Sequence, residues 1–132
     1  MTRPVVLYAC IHNSGRSVAG LYLTRHLFGE HLDARSAGSE PGDGVNPAVA
    51  EVLAERGIDV SDHVPSLLTW EGVQEADVVV TMGCGETCPV FPGKTYEDWE
   101  IPDPKGQDLP VVRAIVDEVE ARVRDLAARI IP

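Results

Sequence analysis

The residues to start from are the three cysteines, Cys10, Cys84 and Cys88. An odd count at irregular spacing provides no disulfide framework, so each is a candidate for chemistry. Cys10 is followed by Arg16 at the sixth position and Ser17 at the seventh, with the turn-forming run Asn13-Ser14-Gly15 between them. That spacing suits attack by a thiolate on a tetrahedral oxyanion. A loop that leaves a strand and enters a helix turns successive backbone N–H groups toward one point, and Ile11, His12, Asn13, Ser14, Gly15 and Arg16 would supply them. Arg16 adds a planar fork that grips two oxygens. Cys10, at the bottom of this positive field, is favoured as a thiolate and hence as a nucleophile, with Ser17 able to donate a hydrogen bond to the sulfur. Asn13 is grouped with this catalytic set. The plain alternative is a small buried cysteine at a strand end. The strand before the loop and the helix after it argue for the chemical reading.

Both elements are legible. Val5-Val6-Leu7-Tyr8-Ala9 is a short β-favouring run suited to a strand buried on both faces. From Ser17 the pattern turns helical through Val18, Leu21, Tyr22, Arg25 and Phe28, stopping at Gly29. Ala34 to Gly38 reads as a second strand. Asn46-Pro47 opens a helix as N-cap and first residue, continued by Val49, Val52, Leu53 and Arg56 and closed by Gly57. Ala76 to Met82 is the clearest strand of the chain, and a further one is expected near Tyr96 to Glu100. Leu109 to Ile131 spaces Val112, Ile115, Val116, Val119, Val123, Leu126 and Ile130 along one face of a long amphipathic helix. Alternating strands and helices predict a single α/β domain over residues 1–132, with a parallel sheet flanked by helices. Ligands of such folds sit at the carboxyl ends of the strands. Cys10, the Gly83–Cys88 stretch and Asp103 are all expected at that edge.

Composition sets the outer limits. Eleven basic against 21 acidic residues give a net charge of −10, which argues against nucleic acid or an anionic membrane as partner. The longest apolar run, Val5 to Ile11, is too short to span a bilayer and lacks the pattern of a signal segment. A cytoplasmic location, where thiols stay reduced, is the expectation. Nine arginines against two lysines, Lys94 and Lys105, hint at a high-GC bacterial genome.

Taken together, the Cys10–Ser17 loop, Ser36-Ala37-Gly38, Asn46-Pro47 with Leu53 and Gly57-Ile58, the strand from Asp77 to Met82, and Asp103-Pro104 resemble the low-molecular-weight protein tyrosine phosphatase fold, and within it the arsenate reductases. The resemblance covers nearly the whole chain. It implies a four-stranded parallel sheet in a flavodoxin-like arrangement, with Asp103 as general acid. Two reactions share the first step on this fold. In a phosphatase, water hydrolyses a phosphocysteine. In a reductase, a second thiol attacks the Cys10–arsenate adduct and arsenite leaves as a disulfide forms. Lys105-Gly106-Gln107 follows the Asp-Pro pair where phosphatases usually carry aromatic residues. Cys84 and Cys88 follow the third strand, where the reductases keep redox cysteines, with Cys88-Pro89 matching the family position and Cys84 displaced from it. His12-Asn13-Ser14-Gly15 resembles the reductase form of the loop more than the phosphatase form.

The expected function is therefore arsenate reduction, with phosphate and sulfate as competing anions, no bound cofactor or metal, and an external thiol reductant. Only three residues separate Cys84 from Cys88, fewer than in thioredoxin-coupled relatives. With the arginine-rich composition, this favours actinobacterial-type coupling to mycothiol and mycoredoxin over thioredoxin. Leu21 stands where those relatives place an acidic potassium ligand, so no such site is expected. Two further classes compete with this reading. A metal site built on Cys84 and Cys88 lacks a matching histidine pair, with His26 and His31 expected at the surface and His63 in a loop. A non-catalytic anion sensor is opposed by the intact set of Cys10, Arg16, Ser17 and Asp103. Trp70 and Trp99 are expected to be packing residues.

Overall fold

The computed structural model describes residues 3–83 and 94–131. The β-branched run at the start of the chain forms β1 (Val5–Cys10), the strand around which the rest is arranged. It pairs in parallel with β2 (Asp33–Gly38) on one side and β3 (Val78–Thr81) on the other, and β3 pairs in parallel with β4 (Thr95–Asp98). The order is β2-β1-β3-β4, the four-stranded parallel sheet that the sequence predicts. Because successive side chains point to opposite faces, β1 feeds two separate cores. Val6, Tyr8 and Cys10 join Val78 and Val80 against three helices: α1 (Arg16–Phe28), α2 (Pro47–Glu55) and the C-terminal α4 (Leu109–Ile130). Leu7 and Val79, on the other face, meet Val73 and Ala76.

The long helix α4 carries its periodicity into packing. Val112, Ile115, Val116, Val119, Val123 and Leu126 are all buried. Its outer face is laced by Glu118–Arg122, Glu120–Arg124 and Asp125–Arg129 pairs one turn apart. Such exposed pairs contribute roughly 0.3–0.5 kcal/mol each, so the apolar face holds the helix in place. Helix α2 begins as its sequence dictates: Asn46 Oδ1 accepts from the N–H groups of Ala48 and Val49 at 2.9 and 3.4 Å.

Three details depart from the sequence reading. A one-and-a-half-turn helix, α3 (Trp70–Glu75), precedes β3 and is too short for periodicity to reveal. Its signal is Thr69, whose hydroxyl caps the Gly72 N–H at 3.0 Å. Strand β3 is shorter than Ala76 to Met82 because Ala76 is the C-cap of α3. Trp99 is buried against Tyr8, with ring centroids 5.7 Å apart. Trp70 is instead 62% exposed, since α3 buries only Val73 of its own residues. Among the described residues, no helix is long and apolar enough to cross a membrane.

Candidate active site

Strand β1 ends at Cys10 and α1 begins at Arg16, so residues 11–15 must turn the chain between them. Every carbonyl of that turn is held from outside. Cys10 O accepts from Ser39 N, Ile11 O from Glu40 N, His12 O from Gly42 N and Ser14 O from Asn46 N, at 2.8–3.2 Å. Asn13 O accepts from His63 Nε2 at 3.2 Å, and Gly15 O from Ala19 N at 2.9 Å. In a trans peptide the next N–H points opposite to the carbonyl. Anchoring these carbonyls therefore turns the N–H groups of residues 11–16 the other way, into the concavity above Cys10. One of them is seen to do so, as Asn13 N–H points at the Cys10 sulfur from 3.2 Å. The loop is a cradle of donors whose carbonyl side is tied down by the protein's own groups.

A second set of bonds fixes the sulfur. Asn13 is fully buried and sits at φ 50°, the left-handed region that asparagine tolerates better than most residues. Ser66 N–H donates to its Oδ1 at 3.1 Å, which orients the amide so that Nδ2 donates to Ser17 Oγ at 2.8 Å. With its oxygen so occupied, the Ser17 hydroxyl has its proton free for Cys10 Sγ, 2.8 Å away. Donors thus converge on Cys10, which is itself only 3% exposed. His63 holds the same loop from behind. Burial pushes its pKa below the ordinary histidine value, against the effect of its bond to Asn13 and with a smaller contribution from Arg25. The neutral ring with its proton on Nε2 is the donor this arrangement uses.

Arg16, with 12% of its side chain exposed, reaches across the mouth, where Nη1 donates to Ile101 O at 3.2 Å and Nη2 lies 3.9 Å from Asp103 Oδ2. Asp103 is half exposed and accepts from Lys105 N–H at 3.0 Å. Its neighbour Pro104 lies directly over Gly15. The cradle opens into a cleft of about 740 Å³ with Val45 and Pro47 on one wall and Pro104 and Lys105 on the other. Among the described residues, no Phe, Tyr or Trp lines it.

The structure therefore brings Cys10, Ile11, His12, Asn13, Ser14, Gly15, Arg16, Ser17 and Asp103 to one sheet edge, as their order in the chain predicts. Cys84 and Cys88 lie outside the described residues. Leu21 is buried in the core, while His26 and His31 are exposed. Among the described residues, no group of three metal-ligating side chains is placed to hold an ion. Sequence reasoning missed four supports. Ser66 and His63 come from a loop more than 45 residues distant, and nothing in their types marks them. Gly38 and Gly83 had a signal, a glycine at or just past a strand end. A Cβ on Gly38 would lie 2.6 Å from Ile11 O, so only a bare α-carbon lets β2 end beneath the loop. Gly83 has a φ of +87° and would put a Cβ 2.4 Å from Arg16 Nη1.

Comparison with known proteins agrees with this geometry. The family model described as low molecular weight phosphotyrosine protein phosphatase matches residues 5–131. Arsenate reductase 1 of Staphylococcus epidermidis is 32% identical, over 98% of this chain and all of its own length. A solved arsenate reductase from Archaeoglobus fulgidus superposes with a TM-score of 0.81 at 33% identity, covering 93% of this chain and 98% of that one. The thioredoxin-dependent arsenate reductase of Corynebacterium glutamicum superposes with a TM-score of 0.86 at 42% identity, covering 97% of this chain. This chain spans 62% of that protein's length.

Proposed function

The chain belongs to the low molecular weight phosphotyrosine protein phosphatase family, and from that premise we propose that it reduces arsenate to arsenite. The observation that carries this reading is the donor cradle with Cys10 at its base and a rim that, among the described residues, carries no Phe, Tyr or Trp. Such a mouth fits a bare tetrahedral anion better than an aryl phosphate. Full-length similarity to arsenate reductases supports the same choice.

In the proposed reaction the N–H groups of residues 11–16 and the Arg16 fork bind arsenate. The Cys10 thiolate attacks arsenic, an S–As bond forms, and an As–O bond breaks. Asp103, at the mouth, hands its proton to the departing oxygen, which leaves as water. A second thiolate then attacks the Cys10 sulfur. As the S–S bond forms, the electron pair of the S–As bond passes to arsenic, which leaves as arsenite. Two thiols have been oxidised and arsenic(V) reduced by two electrons.

The second thiol is Cys84 or Cys88 in this reading, and an external dithiol reopens the resulting disulfide. Thioredoxin is the donor we favour, on the similarity to a thioredoxin-dependent reductase. The route through mycothiol and mycoredoxin rests on composition and the short Cys84–Cys88 spacing alone. The test is arsenite formation by the purified protein with thioredoxin, thioredoxin reductase and NADPH, with Cys10→Ser as control. The expected result is turnover that Cys10→Ser abolishes. Release of phosphate from an aryl phosphate with no arsenite formed under any thiol donor would overturn the reading.

A further inference from the structure

We propose that Gly83 is the positioning residue for the anion grip of Arg16, through the absence of its side chain. The inference rests on the oxyanion cradle of the proposed reaction. Among the described residues, Arg16 is the single cation at the cradle's mouth whose guanidinium is nearly covered, and its placement is set on three sides. Nη1 is held by Ile101 O at 3.2 Å, and Nη2 faces Asp103 Oδ2 at 3.9 Å. The third side is the backbone of Gly83, two residues beyond β3. A Cβ there would stand 2.4 Å from Nη1, 2.9 Å from Cζ and 3.0 Å from Nη2. The three nearest atoms are all of the one guanidinium, so among the described residues the fork is what a side chain at this position meets first.

What would yield is equally clear. The guanidinium is the end of a flexible side chain, whereas Gly83 is tied to the sheet through Met82 N–H, which donates to Ala9 O at 2.7 Å. A methyl at position 83 therefore displaces the fork, in addition to the backbone strain that a φ of +87° imposes on an L side chain. Bidentate recognition depends on the direction of the fork as well as on its charge. A displacement of about 1 Å, the difference between 2.4 Å and an ordinary contact of about 3.4 Å, is enough to lose one of the two hydrogen bonds. Gly83 thus determines how well the cradle holds its anion, without itself touching it.

The test reads anion binding apart from turnover. Phosphate protection of Cys10 against iodoacetamide reports the occupied cradle, and arsenate KM and kcat are measured in parallel. Gly83→Ala should weaken phosphate protection and raise arsenate KM by about tenfold or more, the scale of one charge-assisted hydrogen bond, with a smaller change in kcat. Gly83→Asn separates contact from backbone strain, since asparagine tolerates a positive φ yet carries the same Cβ; it should weaken binding as alanine does. In an Arg16→Lys background, where no fork remains to be displaced, Gly83→Ala should alter phosphate protection less than twofold. Wild-type binding in Gly83→Asn, or an undiminished effect of Gly83→Ala in the lysine background, would overturn the proposal. If phosphate protection behaves as expected while no variant and no wild type yields arsenite, the role of Gly83 stands and the arsenate reading fails.

Discussion

Replacing Asn13 with alanine removes the piece that links the loop backbone to the nucleophile, and its cost can be worked from the geometry. Ser17 Oγ, in a fully buried residue, loses the amide that donates to it at 2.8 Å. A buried polar group left without its partner costs about 1–3 kcal/mol. The backbone at φ 50° must then be held by alanine, which resists the left-handed region by about 1–2 kcal/mol. Ser66 N–H also loses its acceptor, but Ser66 is exposed and water can replace it. The total is about 2–5 kcal/mol, a large share of the roughly 5–15 kcal/mol that holds a domain of this size. Urea denaturation should show a lower midpoint with an unchanged slope. Asn13→Gly, which lifts the backbone cost alone, should recover about 1 kcal/mol of it. The chemical consequence is separate. Without Asn13 Nδ2 the Ser17 hydroxyl is no longer committed to Cys10, so alkylation of Cys10 by iodoacetamide near neutral pH should slow several-fold in both variants. An Asn13→Ala protein within 0.5 kcal/mol of wild type, with an unaltered alkylation rate, would refute the claim that this amide organises the site.

Three other outcomes test the proposed reaction and its supports. Asp103→Asn keeps the shape of the side chain but cannot pass a carboxyl proton, so kcat should fall by about 10²–10⁴ while inhibition by phosphate changes little. Collapse of phosphate inhibition instead would make Asp103 part of the binding site. His63 has its folded pKa lowered by burial, so the stability it contributes is complete above about 6.5, the unfolded value, and is lost as pH falls through the folded value. Melting temperatures between pH 8 and 5 should decline more steeply for wild type than for His63→Gln, whose amide can still donate to Asn13 O. Parallel profiles would remove His63 from that role. The Cys84→Ser/Cys88→Ser double variant should lose thioredoxin-driven turnover while its Cys10 remains alkylated at the wild-type rate. Retained turnover with mycothiol and mycoredoxin would show that a small thiol attacks the Cys10 adduct directly.

How much of this was legible in the sequence depends on how far apart the partners are. The Cys10–Ser17 loop could be read because one turn of chain carries the nucleophile, the fork and the hydroxyl. Helix α2 could be read because Asn46 caps it two and three residues on. The α4 stripe could be read because its burial repeats with the helical period. By contrast, Asn13 is held by His63 and Ser66, 50 and 53 residues away, and neither type announces such a contact. Gly83 and Gly38 were visible as glycines but not as clearances, since what they avoid touching is set by the folded loop. Helix α3 escaped because six residues are too few to establish a period, and β3 was overextended because its first apolar residue caps that helix.

The outward anchoring of the loop carbonyls has a consequence for selectivity. A donor ring tied down at each of its carbonyls has a fixed aperture, and it can respond to little more than charge and tetrahedral shape. Phosphate has both, and it forms the same kind of contact with every N–H that arsenate would use. Discrimination on the proposed reaction must therefore lie downstream of recognition. It lies in the step at which the departing atom has to accept an electron pair, which arsenic does and phosphorus does not. Such an enzyme screens its anions by redox chemistry, and in a phosphate-rich environment its throughput is governed by the ratio of the two anions as well as by the amount of arsenate.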